Sequence, residues 1–184
     1  EISISNKNWV RYANGGDFRK YFGNEDQVVD WSPAAQCSYD AHGGLCNRKF
    51  WNKEGICWSL ITSGVCSFRI KMSYAQYSSG SPTIFNHSFT YKKQELAFLN
   101  SPIAHYLLKA INPTINTTVN DVFALPYIES ASDGDGICDR TNLCIQLSKI
   151  DWDSYETSWD FLQNSLLAVG NSLNSNGNQN DLSA

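Results

Sequence analysis

The stretch that most constrains the fold is residues 55–72, GICWSLITSGVCSFRIKM, where apolar and polar residues alternate on either side of Ser63-Gly64. Alternation of period two marks a strand with one buried face, and a Ser-Gly pair between two such runs reads as a two-residue hairpin turn. That register sets Thr62 opposite Val65, Ile61 opposite Cys66 and Trp58 opposite Arg69. It predicts a core face of Cys57, Ile61, Cys66, Phe68, Ile70 and Met72. It predicts an outward face of Trp58, Leu60, Ser67, Arg69 and Lys71, with the Arg69 guanidinium lying over Trp58. Cys57 then stands about 13 Å from Ile61, the partner of Cys66, at the usual strand rise. A disulfide needs Cα atoms within about 7 Å, so these two cysteines cannot pair in this register.

The remaining elements are read from punctuation and period. Asn14-Gly15-Gly16 is a turn, and residues 27–31 and 83–85 are short strands. Residues 32–55 form a long polar loop in which Arg48, Lys49 and Lys53 alternate with Phe50 and Trp51. A helix covers residues 93–99. A second begins at Ser101-Pro102, a side-chain cap followed by a residue pre-set for the first helical position. Its apolar residues Ile103, Tyr106, Leu107, Ala110 and Ile111 keep helical spacing, and Asn112-Pro113 ends it. Residues 119–126 are extended, 130–144 a loop, and 152–167 a helix. Residues 170–184, GNSLNSNGNQNDLSA, hold too little apolar surface to pack, so a disordered tail follows a single domain of residues 1–169. The expected class is α+β, a mixed or antiparallel sheet with hairpins packed against a few helices.

Charge and cysteines narrow the function. Charged residues make up 17% of the chain and the net charge is −4, which argues against a free-standing nucleic-acid binder acting by charge alone. Residues 1–74 carry nine Lys/Arg against seven Asp/Glu, however, so any polyanion contact belongs in the first half. No apolar run reaches membrane-spanning length and no signal peptide is legible. The six cysteines lack a C-x2-C pair and the three histidines lack finger spacing, which disfavours zinc. Disulfides and free thiols stay equally open on residues alone. Asp133, Asp135 and Asp139 miss the register of a calcium loop. Asn112-Pro113-Thr114 lacks the second proline and the aromatic residue of an amino-methyltransferase motif. No glycine-rich cofactor loop follows a strand, and no nucleophile–base arrangement surrounds His42, His87 or His105.

Four blocks follow one another in order: NGGDFRKYFGNEDQVVDW, KEGICWSLITSGVCSFR, LAFLNSPIAHYLLKAINPTINTTVNDVFALPYI and DWDSYETSWDF. Together they resemble the region after the catalytic domain in the adenine-specific DNA methyltransferases of BREX phage-defence systems, the PglX family. The third block also resembles target-recognition domains of bifunctional restriction–methylation enzymes. The resemblance implies a fragment that reads a short duplex DNA site for a catalytic domain of the same polypeptide, where S-adenosylmethionine would bind. This chain would hold no cofactor and catalyse nothing alone. The resemblance further implies a cytoplasmic setting with reduced thiols, accidental glycosylation sequons at Asn86 and Asn116, no membrane, and other phage-defence subunits or phage DNA mimics as further partners. The departures are the loop at residues 132–140 and the lack of the further helices the family carries beyond Leu167.

On this reading Ser59, Ser63, Ser67 and Arg69 address base edges, with Arg69 as a guanine reader. Arg19, Lys20, Lys49 and Lys53 hold phosphates, and Arg48 and Lys71 complete the basic face. The competing expectation is a secreted, disulfide-bonded effector or a carbohydrate- or protein-binding module.

Overall fold

The computed structural model describes residues 8–85, 93–127, 136–164, 166 and 167. The expected tail, the Asn86 sequon and the first three residues of the Asp133–Asp139 loop lie outside them. The class is α+β, as the sequence predicts: among the described residues there are two small three-stranded sheets and five α-helices.

The first sheet has the order β2-β1-β5. β1 (Trp9–Ala13) pairs antiparallel with β2 (Gln27–Asp30) and parallel with β5 (Gln76–Tyr77). The second has the order β4-β3-β6. β3 (Gly55–Trp58) pairs antiparallel with both β4 (Phe68–Lys71) and β6 (Thr83–Ile84). Gly55 is required where β3 meets β6, because a Cβ there would stand 2.6 Å from the Ile84 carbonyl oxygen.

The core gathers on one face of the second sheet. Ile56, Trp58, Phe68, Ile70 and Ile84 pack against α2 (Lys93–Leu99), α3 (Pro102–Ile111) and α4 (Val119–Phe123) through Leu96, Leu99, Ala104, Leu108 and Val122. Trp58 is wholly buried and its indole N–H donates to the Thr117 carbonyl at 2.8 Å, so the large ring enters the core with its polar atom satisfied. Asn100, just past α2, lashes the helices to the strand edge. Its side chain accepts from the Phe68 N–H at 3.1 Å and donates to the Phe68 carbonyl at 2.8 Å.

The strand register differs from the sequence expectation by one residue. Trp58 faces Phe68, and Cys57 faces Arg69. The expected tight turn at Ser63-Gly64 does not form, because the 59–67 connection is recruited by other segments. Leu60 N–H donates to the Gly80 carbonyl, Thr62 N–H to Ile115, and Thr117 N–H to Leu60. A one-residue slip exchanges the faces of β3 relative to β4. Trp58 therefore joins the core, and Cys57, Arg69 and Lys71 share the opposite face, away from Trp58. Cys66 does join the core cluster, but Cys57 does not share its face.

The helices at 93–99 and from Ser101-Pro102 form as expected, the Ser101 side chain accepting from Ala104 N–H. Four segments differ. The polar loop at 32–55 contains α1 (Pro33–Ala41), capped by Ser32 with Pro33 at its start, and a short 3-10 helix (Arg48–Phe50). Residues 119–123 are helical rather than extended, because Thr118 and Asp121 form a reciprocal capping box. The helix expected at 152–167 lies earlier, as α5 (Ile137–Asp153), which takes in much of the expected 130–144 loop.

Candidate nucleic-acid interface

The ten residues singled out from sequence separate into three environments: buried, half-buried and exposed. Ser59, Ser67, Arg69 and Lys71 are buried at the seam between the sheets. Ser59 Oγ donates to the Gly16 carbonyl at 2.9 Å and accepts from Gly16 N–H at 3.0 Å. Ser67 Oγ accepts from Arg19 N–H at 3.2 Å. Arg69 donates to the Asn14 carbonyl at 2.9 Å, and Lys71 Nζ to the Lys53 carbonyl at 2.7 Å. These four side chains tie the 14–19 loop and the 53 turn onto β3 and β4. The outward face expected for Ser67, Arg69 and Lys71 is thus corrected to an interior one, because the 14–19 loop and the 53 turn cover that face of β4. Burial lowers the Lys71 ammonium to about 8, against the opposing influence of Cys57, Cys46, Glu25 and Glu54.

Arg19 and Lys20 are half-buried and engaged. Arg19 is ion-paired with Asp151, and its guanidinium lies 5.2 Å from the Trp152 ring centre and 5.3 Å from that of Tyr155. Gly23 makes room for this stack. Its φ of +126° favours glycine, and a Cβ would meet Trp152 at 3.1 Å and Arg19 at 3.2 Å. Lys20 Nζ donates to the Asn100 carbonyl at 2.8 Å. Lys53 is half-buried, and Ser63 is exposed on the 59–67 connection.

Arg48 and Lys49 stand in the open. The 3-10 turn that carries them is capped by Asn47, whose Oδ1 accepts from Lys49 N–H at 3.0 Å, and Asn52 follows in a left-handed conformation that asparagine tolerates. Each cation rides on an aromatic ring rooted in the fold. Arg48 lies 5.4 Å over Trp51, Trp51 meets Trp31 edge-on at 4.9 Å, and the Trp51 indole donates to the Cys46 carbonyl at 2.9 Å. Lys49 lies 4.7 Å over Phe50, and Phe50 stacks on Phe85 at 4.7 Å with an interplanar angle of 10°. No ion pair joins Arg48 or Lys49 to a described residue. Two exposed charges are thereby held in position without being neutralised, which suits contact with a polyanion.

Sequence reasoning found the cations and their neighbours Phe50 and Trp51 but missed the second layer, Trp31, Phe85 and Tyr77. Those rings arrive by long-range packing, and no local signal announces them. Beside this turn lies a cleft of about 390 Å3 lined by Tyr12, Trp31, Tyr39, Cys46, Tyr77 and Ser78, among others. Burial pushes the Cys46 thiol and the Tyr12 and Tyr77 phenols up, so all three stay neutral at ordinary pH.

The Asn14–Gly16 turn leads into an irregular segment and then β2 rather than into a helix, so no helix N-terminus faces it. No group of three His, Cys, Asp or Glu side chains among the described residues could hold a metal ion. All six cysteines are free. No described helix is long and apolar enough to cross a membrane.

No protein-family model matches the chain. Two curated proteins are similar to it along most of its length. The adenine-specific methyltransferase PglX of Lacticaseibacillus casei (strain Zhang) is 34% identical over 169 residues, which cover 88% of this chain and 14% of that protein. The adenine-specific methyltransferase BrxX of Escherichia coli O9:H4 (strain HS) is 29% identical over 168 residues, covering 90% of this chain and 14% of that protein. The chain is thus homologous to a segment of these two adenine-specific methyltransferases, and it spans about one seventh of their length.

Proposed function

We propose that this chain reads duplex DNA for an adenine-specific, S-adenosylmethionine-dependent DNA methyltransferase of BREX type, within the bacterial cytoplasm. The observation that carries the reading is the Arg48–Lys49 pair, two unneutralised cations braced on aromatic rings in a chain whose net charge is −4. Arg48 and Lys49 contact phosphates, with Lys53 at the edge of the same turn, and fix the register of the duplex. Ser63 remains available for contact from the 59–67 connection. Arg69, Lys71, Ser59 and Ser67 act from the interior by fixing the loops that present the surface. The catalytic domain and its cofactor belong to other parts of the parent polypeptide, and other phage-defence subunits or DNA-mimic proteins would meet the same basic turn. Binding by this chain alone is weak, because most affinity comes from the tethered catalytic half through effective concentration.

Titration of the chain with duplex DNA at low salt tests this. Wild type binds weakly, and the double substitution Arg48→Ala with Lys49→Ala weakens it further. The slope of log affinity against log salt falls by roughly 2, about one per lost phosphate contact. Binding that is indifferent to both residues overturns the assignment, and tight sequence-specific binding by the chain alone overturns the division of labour.

A further inference from the structure

The cleft beside the basic turn has a chemistry of its own. It is lined by Tyr12 of β1, Tyr77 of β5, Trp31, Tyr39 and the pair Gly43-Gly44, where a Cβ at Gly43 would meet nothing within 4 Å. α1, which contributes Tyr39 to the lining, buries no residue. The helix is held by the Tyr39 hydroxyl donating to the Asp30 carbonyl at 3.1 Å and Gln36 donating to the Trp31 carbonyl at 2.8 Å. None of the lining residues carries a charge. The hydroxyls of Tyr12 and Tyr77 are turned toward Ser78 and Cys46, which leaves ring faces as the main recognition surface. Trp31 also links the cleft to the rim cation, since Trp51 stands edge-on against it and carries Arg48.

A neutral aromatic slot beside two exposed cations matches a ligand with a flat heterocycle and an adjoining phosphate. We propose that the cleft receives one unstacked nucleobase of the DNA whose phosphates Arg48 and Lys49 hold. The inference rests on the DNA-reading assignment above and names a second element of it, a base taken out of the stack and held by Tyr12, Trp31, Tyr39 and Tyr77. The volume of about 390 Å3 is ample for a single base with part of its sugar. Charge complementarity favours DNA over an aromatic side chain of a protein partner, because the rim cations stand out in an otherwise acidic chain.

The test uses the 184-residue chain with a short duplex carrying one bulged 2-aminopurine, and with its fully paired counterpart. The bulged duplex binds at least about fivefold more tightly, as stacking of one base on aromatic rings provides, and 2-aminopurine emission falls on binding. Alkylation of Cys46 in the cleft slows, while that of exposed Cys37 on α1 does not. Gly44→Leu fills the rim without disturbing the core, since a Cβ there meets only the Tyr39 carbonyl oxygen at 3.7 Å. It removes the preference for the bulged duplex and leaves paired-duplex affinity unchanged, and Tyr39→Leu does the same to the emission change. Equal binding of both duplexes, with Cys46 unprotected, overturns the proposal while DNA reading stands on the Arg48 and Lys49 dependence of the paired duplex. Loss of that dependence sinks the DNA reading itself. Protection of Cys46 by an acidic peptide with a terminal aromatic residue, and not by DNA, overturns the proposal in favour of a protein partner.

Discussion

Two pairs of cations in this chain look alike in sequence and differ completely in the fold. Arg48 and Lys49 sit on a short 3-10 turn, exposed and braced on Trp51 and Phe50. Arg69 and Lys71 sit on β4, only 1% and 0% exposed, with their charges turned onto backbone carbonyls. A bare count of basic residues would assign both pairs to a polyanion. Burial separates them, because an interior cation is retained for what it ties together and an exterior one for what it can meet. The contrast predicts opposite outcomes for the same substitution.

The largest effect is expected at Arg69. Arg69→Ala strands the Asn14 carbonyl, empties volume at the seam and frees the 14–19 loop, and should cost about 3 kcal/mol by urea denaturation. Arg48→Ala should stay within about 0.5 kcal/mol, as exposed substitutions away from special features do. DNA binding should respond in the reverse sense. A stable Arg69→Ala variant that has lost DNA affinity would break the comparison, because it would make Arg69 a contact residue after all.

Lys71 sharpens the same contrast through pH. Its pKa is about 8 in the folded chain because burial disfavours the ammonium, and about 10.4 when unfolded. Below about pH 8 it is protonated in both states, and the folded state carries the whole desolvation cost. Between about 8 and 10.4 the unfolded chain binds the proton more readily, so this group's contribution becomes more favourable as pH rises. Cys57, Cys66 and Tyr74, all pushed up by burial, act in the opposite direction over neighbouring pH. The readout is therefore the difference from Lys71→Met. Wild type should gain about 2 kcal/mol relative to that variant between pH 7.5 and 10. A constant difference across that range would mean that Lys71 is hydrated and the seam is open.

How much of this was legible depended on whether the signal was local. Ser101-Pro102 announces α3 because a cap and a proline act within one turn. Ser32-Pro33 carries the same signal for α1, yet that helix buries nothing, so no apolar period supported it. Thr118 and Asp121 write the capping box of α4 openly, but Val119, Val122 and Phe123 favour strand by propensity, and the cap outweighs them. α5 begins at a left-handed Gly136 with no side-chain cap, which reads locally as loop. The hairpin shows the other limit. Its alternation correctly indicated paired strands, but register depended on Gly80, Ile115 and Thr117, distant residues that capture the connection. Alternation correctly set Arg69 on the face opposite Phe68 and Ile70, but the distant 14–19 loop that covers that face decides that it meets the seam and not solvent.

The smallest expected effect concerns a third kind of cation, half-exposed and paired. Arg11 of β1 donates to Asp160 at 2.8 and 3.2 Å, and Lys149 of α5 donates to the same carboxylate at 3.1 Å. The Arg11 hydrogen bond, helped by Lys149, holds the Asp160 carboxyl down at about 2. An Asp with a depressed pKa stabilises fully above its unfolded value near 4 and loses that contribution as pH falls toward 2. Asp160 is 41% exposed, so solvent screens the network and Asp160→Asn should cost about 0.5 kcal/mol at pH 7. The deficit should shrink as wild type itself protonates below pH 4, and shrink further in high salt. A pH-independent deficit of several kcal/mol would place this network with Arg69 and Lys71, and exposure would then no longer distinguish a cation that holds the fold from one that is free to meet a ligand.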